Sequence, residues 1–371
     1  MGAAFDLQAI GAAFAEAAVN PSRWDAAMDV VDKVTGSAGA LVFDINGHLP
    51  RIPRSDATAP AHEAYVRDGW IHRDERYRLA PILARRGVAT DFDLFTPDDI
   101  AKHPYYQEFL ARFDLRWCAL VKIAAGDVFW SLSLQRSIEQ GPFSPGELAE
   151  LAKLPGLLGS SAALARALGF AHAEAALDAF NASGTPAIMM DRNGRAVRTN
   201  LAAELLLGPD IQISGGRLVS ADRDATDALD RSLLELLCAA EPAAAMPPVP
   251  LPRTERRPLL AYPMRLPAVS PNALAPCQAA VVILDPDARP RTPEADLRSC
   301  FGLTAAEARL ASRISSGQAL ESAADQLTIS YETARKQLKA IFAKTETHRQ
   351  AELVALLAKV ATGPSSGRPG R

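Results

Sequence analysis

The chain has 371 residues, enough for two or three domains, and it is 48% hydrophobic and 22% charged, the balance of a folded globular protein and not of a disordered or fibrous one. Its formal net charge is −3, so any attraction to nucleic acid has to come from a local cluster and not from the whole surface. The four cysteines, at 118, 238, 277 and 300, are too widely spaced for a Cys-x-x-Cys pair, which points to reduced thiols and away from a zinc site.

No uninterrupted run of about 18 apolar residues is present. The first twenty residues carry Asp6 and Glu16 on an amphipathic helix where a secretory leader would have a basic start. Asp6 also stands where a myristoylation signal needs Ser or Thr. These features predict a cytoplasmic protein with no membrane partner.

Residues Phe5 to Val19, with Leu7, Ile10 and Phe14 on one face, and Trp24 to Thr35 read as two helices packed together. Gly39 to Ile45 reads as a strand ending at an Asn46-Gly47 turn. Trp117 to Ala124 and Val128 to Gln135 read as a hairpin joined at Ala125-Gly126-Asp127. Ser144 to Leu168 supplies a long covering helix, interrupted at Pro155-Gly156. Helices, then strands with a long irregular middle, predict an α+β sensor domain.

That middle, Tyr65 to Tyr106, interleaves aromatics with charge in Tyr65, Trp70, Arg73, Asp74, Arg76, Tyr77, Asp91 and Asp93, as a small-ligand pocket would, or a loop packed on a sheet. Trp117 and Trp130, one on each hairpin strand, read as core or pocket wall. Tyr65, Trp70 and Asp74 resemble the spacing of autoinducer-binding domains, with Glu75 where that family has Pro. The resemblance implies ligand contact by Tyr65, Trp70 and Asp74 in a domain of the GAF or autoinducer-binding type, and Trp117 and Trp130 join them as candidate pocket residues.

Pro186 to Met190, the turn Asp191-Arg192-Asn193-Gly194, Arg195 to Thr199, Asn200 and a short helix Leu201 to Leu207 follow in order. A longer helix, Asp222 to Ala240, and two late strands, Leu259 to Leu266 and Ala279 to Asp285, complete an antiparallel sheet that resembles a PAS domain. Asp191 as a phosphoacceptor is rejected, because no acidic pair precedes it and a hairpin turn follows it directly. Glu241 to Arg257 and Pro267 to Pro276 are Pro-rich and read as exposed linkers, and Pro286 to Pro293 as a stiff tether.

Beyond it, Thr304 and Glu307 form a capping box, Leu310, Ala311 and Ile314 recur at helical spacing, and Gly317 stops the helix. A second helix fits Leu320 to Gln326. Ser330 caps a third, in which Ala334, Leu338, Ile341 and Phe342 share one side while Glu332, Arg335, Lys336 and Lys339 share the other. A helix N-terminus at Ser330 can hold a phosphate, and Arg and Lys side chains can bond guanine edges; a solvated basic face is the plain alternative. Leu303 to Glu307, Gly317, Ala324, Leu327, Ile329-Ser330, Thr333, Ile341, Lys344 and Arg349 together resemble the LuxR-type helix-turn-helix domain over about 60 residues. The resemblance implies a four-helix domain whose third helix reads the DNA major groove through Arg335, Lys336 and Lys339, with Thr333, Lys344 and Arg349 near phosphates. Ala334 and Gln337 depart from the family's usual Val and His, although Gln337 could still bond a phosphate. The last helix, Gln350 to Val360, makes dimer contacts in that family; it could equally close the domain core. Thr362 to Arg371 reads as a disordered tail.

The six histidines, at 48, 62, 72, 103, 172 and 348, form no pair at ligand spacing, and there is no Gly-rich phosphate loop or Gly-x-Ser-x-Gly elbow. No catalytic residue, metal or cofactor is expected. The expected organisation is a GAF-like α+β domain over 1–170, a PAS-like domain over 171–288, a linker over 289–297, the all-α DNA reader over 298–362 and a tail over 363–371. The expected function is a homodimeric regulator of transcription that binds double-stranded DNA under the control of a small-molecule ligand or partner. Two rivals stand beside it: a module that docks on RNA polymerase or another partner without reading DNA, and an enzyme with a sensing tail.

Overall fold

The computed structural model describes residues 5–44, 52–125, 128–238, 245–265, 272, 274–288 and 292–361. Asp6 opens the first helix, α1 (Leu7–Val19), by accepting the Ala9 N–H at 3.1 Å, and α2 (Trp24–Thr35) ends at Gly36, whose φ of +62° suits a residue without Cβ. The strand β1 (Gly39–Asp44) follows. The expected Asn46-Gly47 turn lies outside the described residues.

The stretch read from sequence as irregular is instead a chain of short helices with one strand: α3 (Ala59–Arg67), α4 (Ala80–Arg86), β2 (Val88–Thr90) and α5 (Pro97–Lys102), joined by tight turns. Proline in the first turn of α3, α4 and α5 and reciprocal caps at Thr90/Asp93 and Thr96/Asp99 start these pieces. Glycines at positive φ, Gly69 and Gly87, stop them early, so none acquires a long hydrophobic period. The hairpin β3 (Leu115–Ala125) and β4 (Val128–Ser137) completes an antiparallel sheet in the order β1-β4-β3-β2.

A capping box at Ser144 and Glu147 opens α6 (Pro145–Leu151), and α7 (Leu154–Ala182) continues it. The interruption expected at Pro155-Gly156 falls just before it, at Ala152 and Lys153, and Pro155 lies in the first turn of α7, where its missing N–H costs nothing. Through Leu154, Leu158, Ala162 and Ala165, α7 packs with α1 and α2 on one face of the first sheet. It runs on through residue 170 and buries Ala173 and Leu177 against a second sheet. By length and composition Pro145–Ala182 could cross a membrane, with an 18-residue window of mean hydropathy 1.2; its buried side chains nonetheless join both cores.

In the second region β5 (Ala187–Met190) turns into β6 (Ala196–Thr199). Asn200 then caps α8 (Leu201–Glu204), its Oδ1 accepting both Ala203 N–H and Ala187 N–H. A separate hairpin, β7 (Ile211–Ser214) and β8 (Arg217–Ser220), precedes α9 (Arg223–Cys238). The remaining strands are β9 (Val249–Arg253), β10 (Arg256–Arg265) and β11 (Ala279–Leu284), giving the antiparallel order β6-β5-β11-β10-β9. The part of the Pro-rich segment at β9 is therefore an edge strand and not a linker. Val249 and Leu251 are buried while Pro250 and Pro252 face outward, a place where proline is tolerated. Arg253 at its end clamps the exit of β11, Nη2 lying 2.6 Å from Asp285 and 3.3 Å from Asp287.

The C-terminal region is helical: α10 (Glu294–Phe301), α11 (Ala305–Ser315), α12 (Leu320–Gln326), α13 (Tyr331–Thr345) and α14 (Gln350–Ala361). Thr304/Glu307 and Ser330 cap α11 and α13 where the sequence places them. Of the expected linker, the described residues 292–297 are part of the helical region: α10 begins at Glu294, and buried Thr292 donates to Leu357 O at 3.0 Å and accepts from Ser312 Oγ at 2.8 Å. Leu297, Leu310, Ile314, Leu338, Ile341, Leu353 and Leu357 form this region's core, each worth about 1.5–3 kcal/mol of burial. Leu353 and Leu357 of α14 are thus used internally, with Val354, Leu356 and Val360 half-buried.

A candidate ligand cavity and a basic helix face

The alternation of β4 creates the first site. Trp130, Leu132 and Leu134 point into the helical core, so Ser131, Ser133 and Gln135 point to the other face, which would bury three polar side chains. The short-helix segment 56–113 covers that face, and between it and the sheet lies a cavity with an empty volume of about 720 Å³, mouth included. Leu41 and Phe43 of β1, Leu115 and Leu120 of β3, and Ser133 and Gln135 of β4 line its floor. Thr58, Ala61, His62 and Tyr65 form one wall; Asp74, Arg76, Tyr77, Tyr105, Phe109 and Leu110 form the other.

Two buried charges organise the polar half. Arg76 forms a bidentate pair with Asp91, Nε to Oδ1 at 2.7 Å and Nη2 to Oδ2 at 3.3 Å. It also donates to Gln135 Oε1 at 3.1 Å and to the Arg116 carbonyl at 3.0 Å. Asp91 takes two more donors, Tyr106 Oη at 2.6 Å and the Cys118 N–H at 2.7 Å. Burial opposes the Arg76 charge, but Asp91 together with Cys118, Tyr105 and Tyr106 outweighs it and holds the guanidinium above its ordinary pKa. Four of its five N–H donors are spent on protein, so it does not offer a free anion site despite its charge.

Asp74 is the second. Its Oδ2 accepts Tyr65 Oη at 3.0 Å and Tyr105 Oη at 2.9 Å, and its Oδ1 accepts the Arg76 N–H at 2.8 Å. Burial raises its pKa, against the pull of Arg76 and these donors, and burial likewise pushes the Tyr65 and Tyr105 phenols upward. Burial drives the Cys118 thiol up to about 12, which makes it unreactive as a nucleophile. The arrangement offers an aromatic box, one acceptor site left on Asp74 and one donor left on Arg76.

The five residues expected at a ligand do not all meet there. Tyr65 and Asp74 line the cavity. Trp70 lies behind the wall, stacked 5.5 Å from Phe109 and under the Arg73 guanidinium at 3.9 Å. Trp117 packs on Phe92 at 5.5 Å, and Trp130 belongs to the opposite face of the sheet. Sequence reading missed His62, Tyr105, Ser133 and Gln135. The buried Ser-x-Ser-x-Gln alternation of β4 was the available signal for the last two.

The other candidate surface is α13. Ser330 caps it, accepting the Thr333 N–H at 3.2 Å. Ala334, Leu338 and Ile341 are buried, while Thr333, Arg335, Lys336 and Lys339 are exposed and Gln337 is half-buried. Lys344 is exposed but already engaged, donating to Glu307 at 2.7 Å and to the Gly302 carbonyl at 3.2 Å, and Arg349 lies exposed before α14.

No family model matches the chain, and no curated protein matches it. Among solved structures, a crystal structure of a phage VqmA-DPO complex aligns with 53% of this chain and 94% of its own, at 15% identity and a TM-score of 0.22. A likeness that slight carries no functional argument.

Proposed function

We propose that the chain is a ligand-responsive regulator that binds double-stranded DNA through the exposed face of α13. The observation that carries this reading is the division of α13: Ala334, Leu338 and Ile341 are buried, and among the residues left outside Arg335, Lys336 and Lys339 outnumber the one acid, Glu332, on a chain of net charge −3. Such a surplus of cations following a capped helix N-terminus suits phosphate and major-groove contacts. The cavity supplies the controlling site. With Arg76 matched by Asp91, its remaining chemistry suits a small neutral molecule with an apolar or aromatic body and one N–H donor placed for Asp74. A ligand that binds the two arrangements of the protein unequally shifts DNA affinity by that difference and no more. As a dimer, the protein would occupy a pseudo-palindrome.

The test is fluorescence anisotropy of the purified chain against random and native upstream DNA over a salt series. A steep negative salt slope is expected, with loss of sequence preference on replacing Arg335, Lys336 and Lys339 together by Ala. Absence of binding at low salt, both by the full chain and by residues 292–371, would transfer α13 to docking on a protein partner such as RNA polymerase.

A further inference from the structure

The strands that floor the cavity also carry, on their reverse face, the seat of a side chain from the second region. Along β1, Leu41 and Phe43 face the cavity while Asp44 belongs to the other side; along β4, Ser133 and Gln135 face it while Trp130 does not. Asp44 and Trp130 are register partners in the sheet. Onto this pair projects Arg192, from the turn between β5 and β6. Its guanidinium carbon lies 3.6 Å from the Trp130 ring centroid, its Nε lies 3.8 Å from Asp44 Oδ2, and the residue is only 8% exposed.

The turn is built to present it. Asp191 Oδ1 accepts the N–H groups of Asn193 at 2.7 Å and Arg195 at 2.8 Å, and Gly194 adopts φ +70°. On the far side, β5 pairs with β11, whose exit is clamped by Arg253 just before the C-terminal helical region. For a cation desolvated against a carboxylate and a ring, removal from water and mutual attraction oppose each other. Burial draws the Arg192 pKa down to about 10 even though Asp44 and Asp191 favour the charge. A contact in which these opposing effects meet responds to shifts of its seat, and Asp44 directly follows cavity-lining Phe43 in the chain.

We propose that Arg192 is the coupling residue between the cavity and the second region, its seat on Trp130 and Asp44 being stronger in one state of cavity occupancy than in the other. The inference rests on the cavity being a ligand site, as proposed above. By linkage, occupancy then alters the Arg192 contact, and loss of the contact alters occupancy by the same factor.

The test uses the full chain, its Arg192→Met variant and N-phenyl-1-naphthylamine, a neutral aromatic probe with one N–H. In the native chain the probe should change hydrogen-exchange protection across residues 187–199. In Arg192→Met that response should vanish, while the probe's dissociation constant shifts by about five-fold or more. An unchanged constant with an unchanged response overturns the proposal. If the probe does not bind the native chain, the cavity reading fails, and coupling is judged separately from a urea-unfolding cycle of Phe43→Ala with Arg192→Met: additive shifts overturn it and non-additive shifts support it. Should Arg192→Met not fold, Arg192→Lys, which keeps the charge but loses the flat stacking group, replaces it under the same criteria.

Discussion

The cavity and the α13 face both use arginine, to opposite ends. Arg76 is buried, paired with Asp91 and spends four donors on its own protein, whereas Arg335 stands in solvent on the polar side of a helix. The first arginine is framework and the second is available to a partner. Residue type therefore says little about role here; the state of its hydrogen bonds says much.

Arg76→Met gives the largest test of this contrast. It leaves Asp91 charged and buried without its partner, and a loss of about 3–5 kcal/mol is expected in urea unfolding, partly restored by adding Asp91→Asn. The triple Arg335, Lys336, Lys339→Ala variant should show the reverse pattern. Stability should stay within about 0.5 kcal/mol, while the log–log salt slope of DNA binding falls by roughly 0.9 for each phosphate contact removed. Ser330→Ala should cost about 1 kcal/mol in thermal unfolding, through the lost cap of α13.

A pH-dependent effect follows from Glu147. Its bond with Arg136 holds the carboxyl down at about 2, against the opposing effect of burial. A folded-state pKa below the unfolded one adds stability that is present above the unfolded value and lost as pH falls through the folded one. The acid limb of stability between about pH 4.5 and 2 should therefore flatten in Glu147→Gln. The smallest is Lys344→Ala. Because Lys344 already serves Glu307 at a part-exposed ion pair, folding should change by under about 1 kcal/mol, and DNA binding should fall by less than for Lys336→Ala.

The C-terminal helices were legible because local chemistry marks their ends: Thr304 with Glu307, and Ser330 with Thr333, act within one turn of the chain. The strand β9 was not, because Pro250 and Pro252 argue against a sheet unless the strand is known to be at an edge. The cavity was half legible. Tyr65 and Asp74 lie close in sequence and signalled themselves, but their partners at 105, 133 and 135 arrive only through the pairing of β3 with β4 and the covering short helices. Trp130, expected at a ligand, faces away because a strand alternates: neighbours of cavity residues belong to the reverse side.

The clamp at the end of β11 has a consequence for how the two halves meet. Asp287 is held by Arg253 and Thr292 is held in the helical core, so only five residue steps, about 17 Å fully extended, separate two fixed points. A leash that short keeps the helical region at a local concentration on the order of millimolar beside the second sheet. On the function proposed above, a contact too weak to detect between separated halves would then suffice to hold α13 away from DNA, and a modest change in that contact would release it.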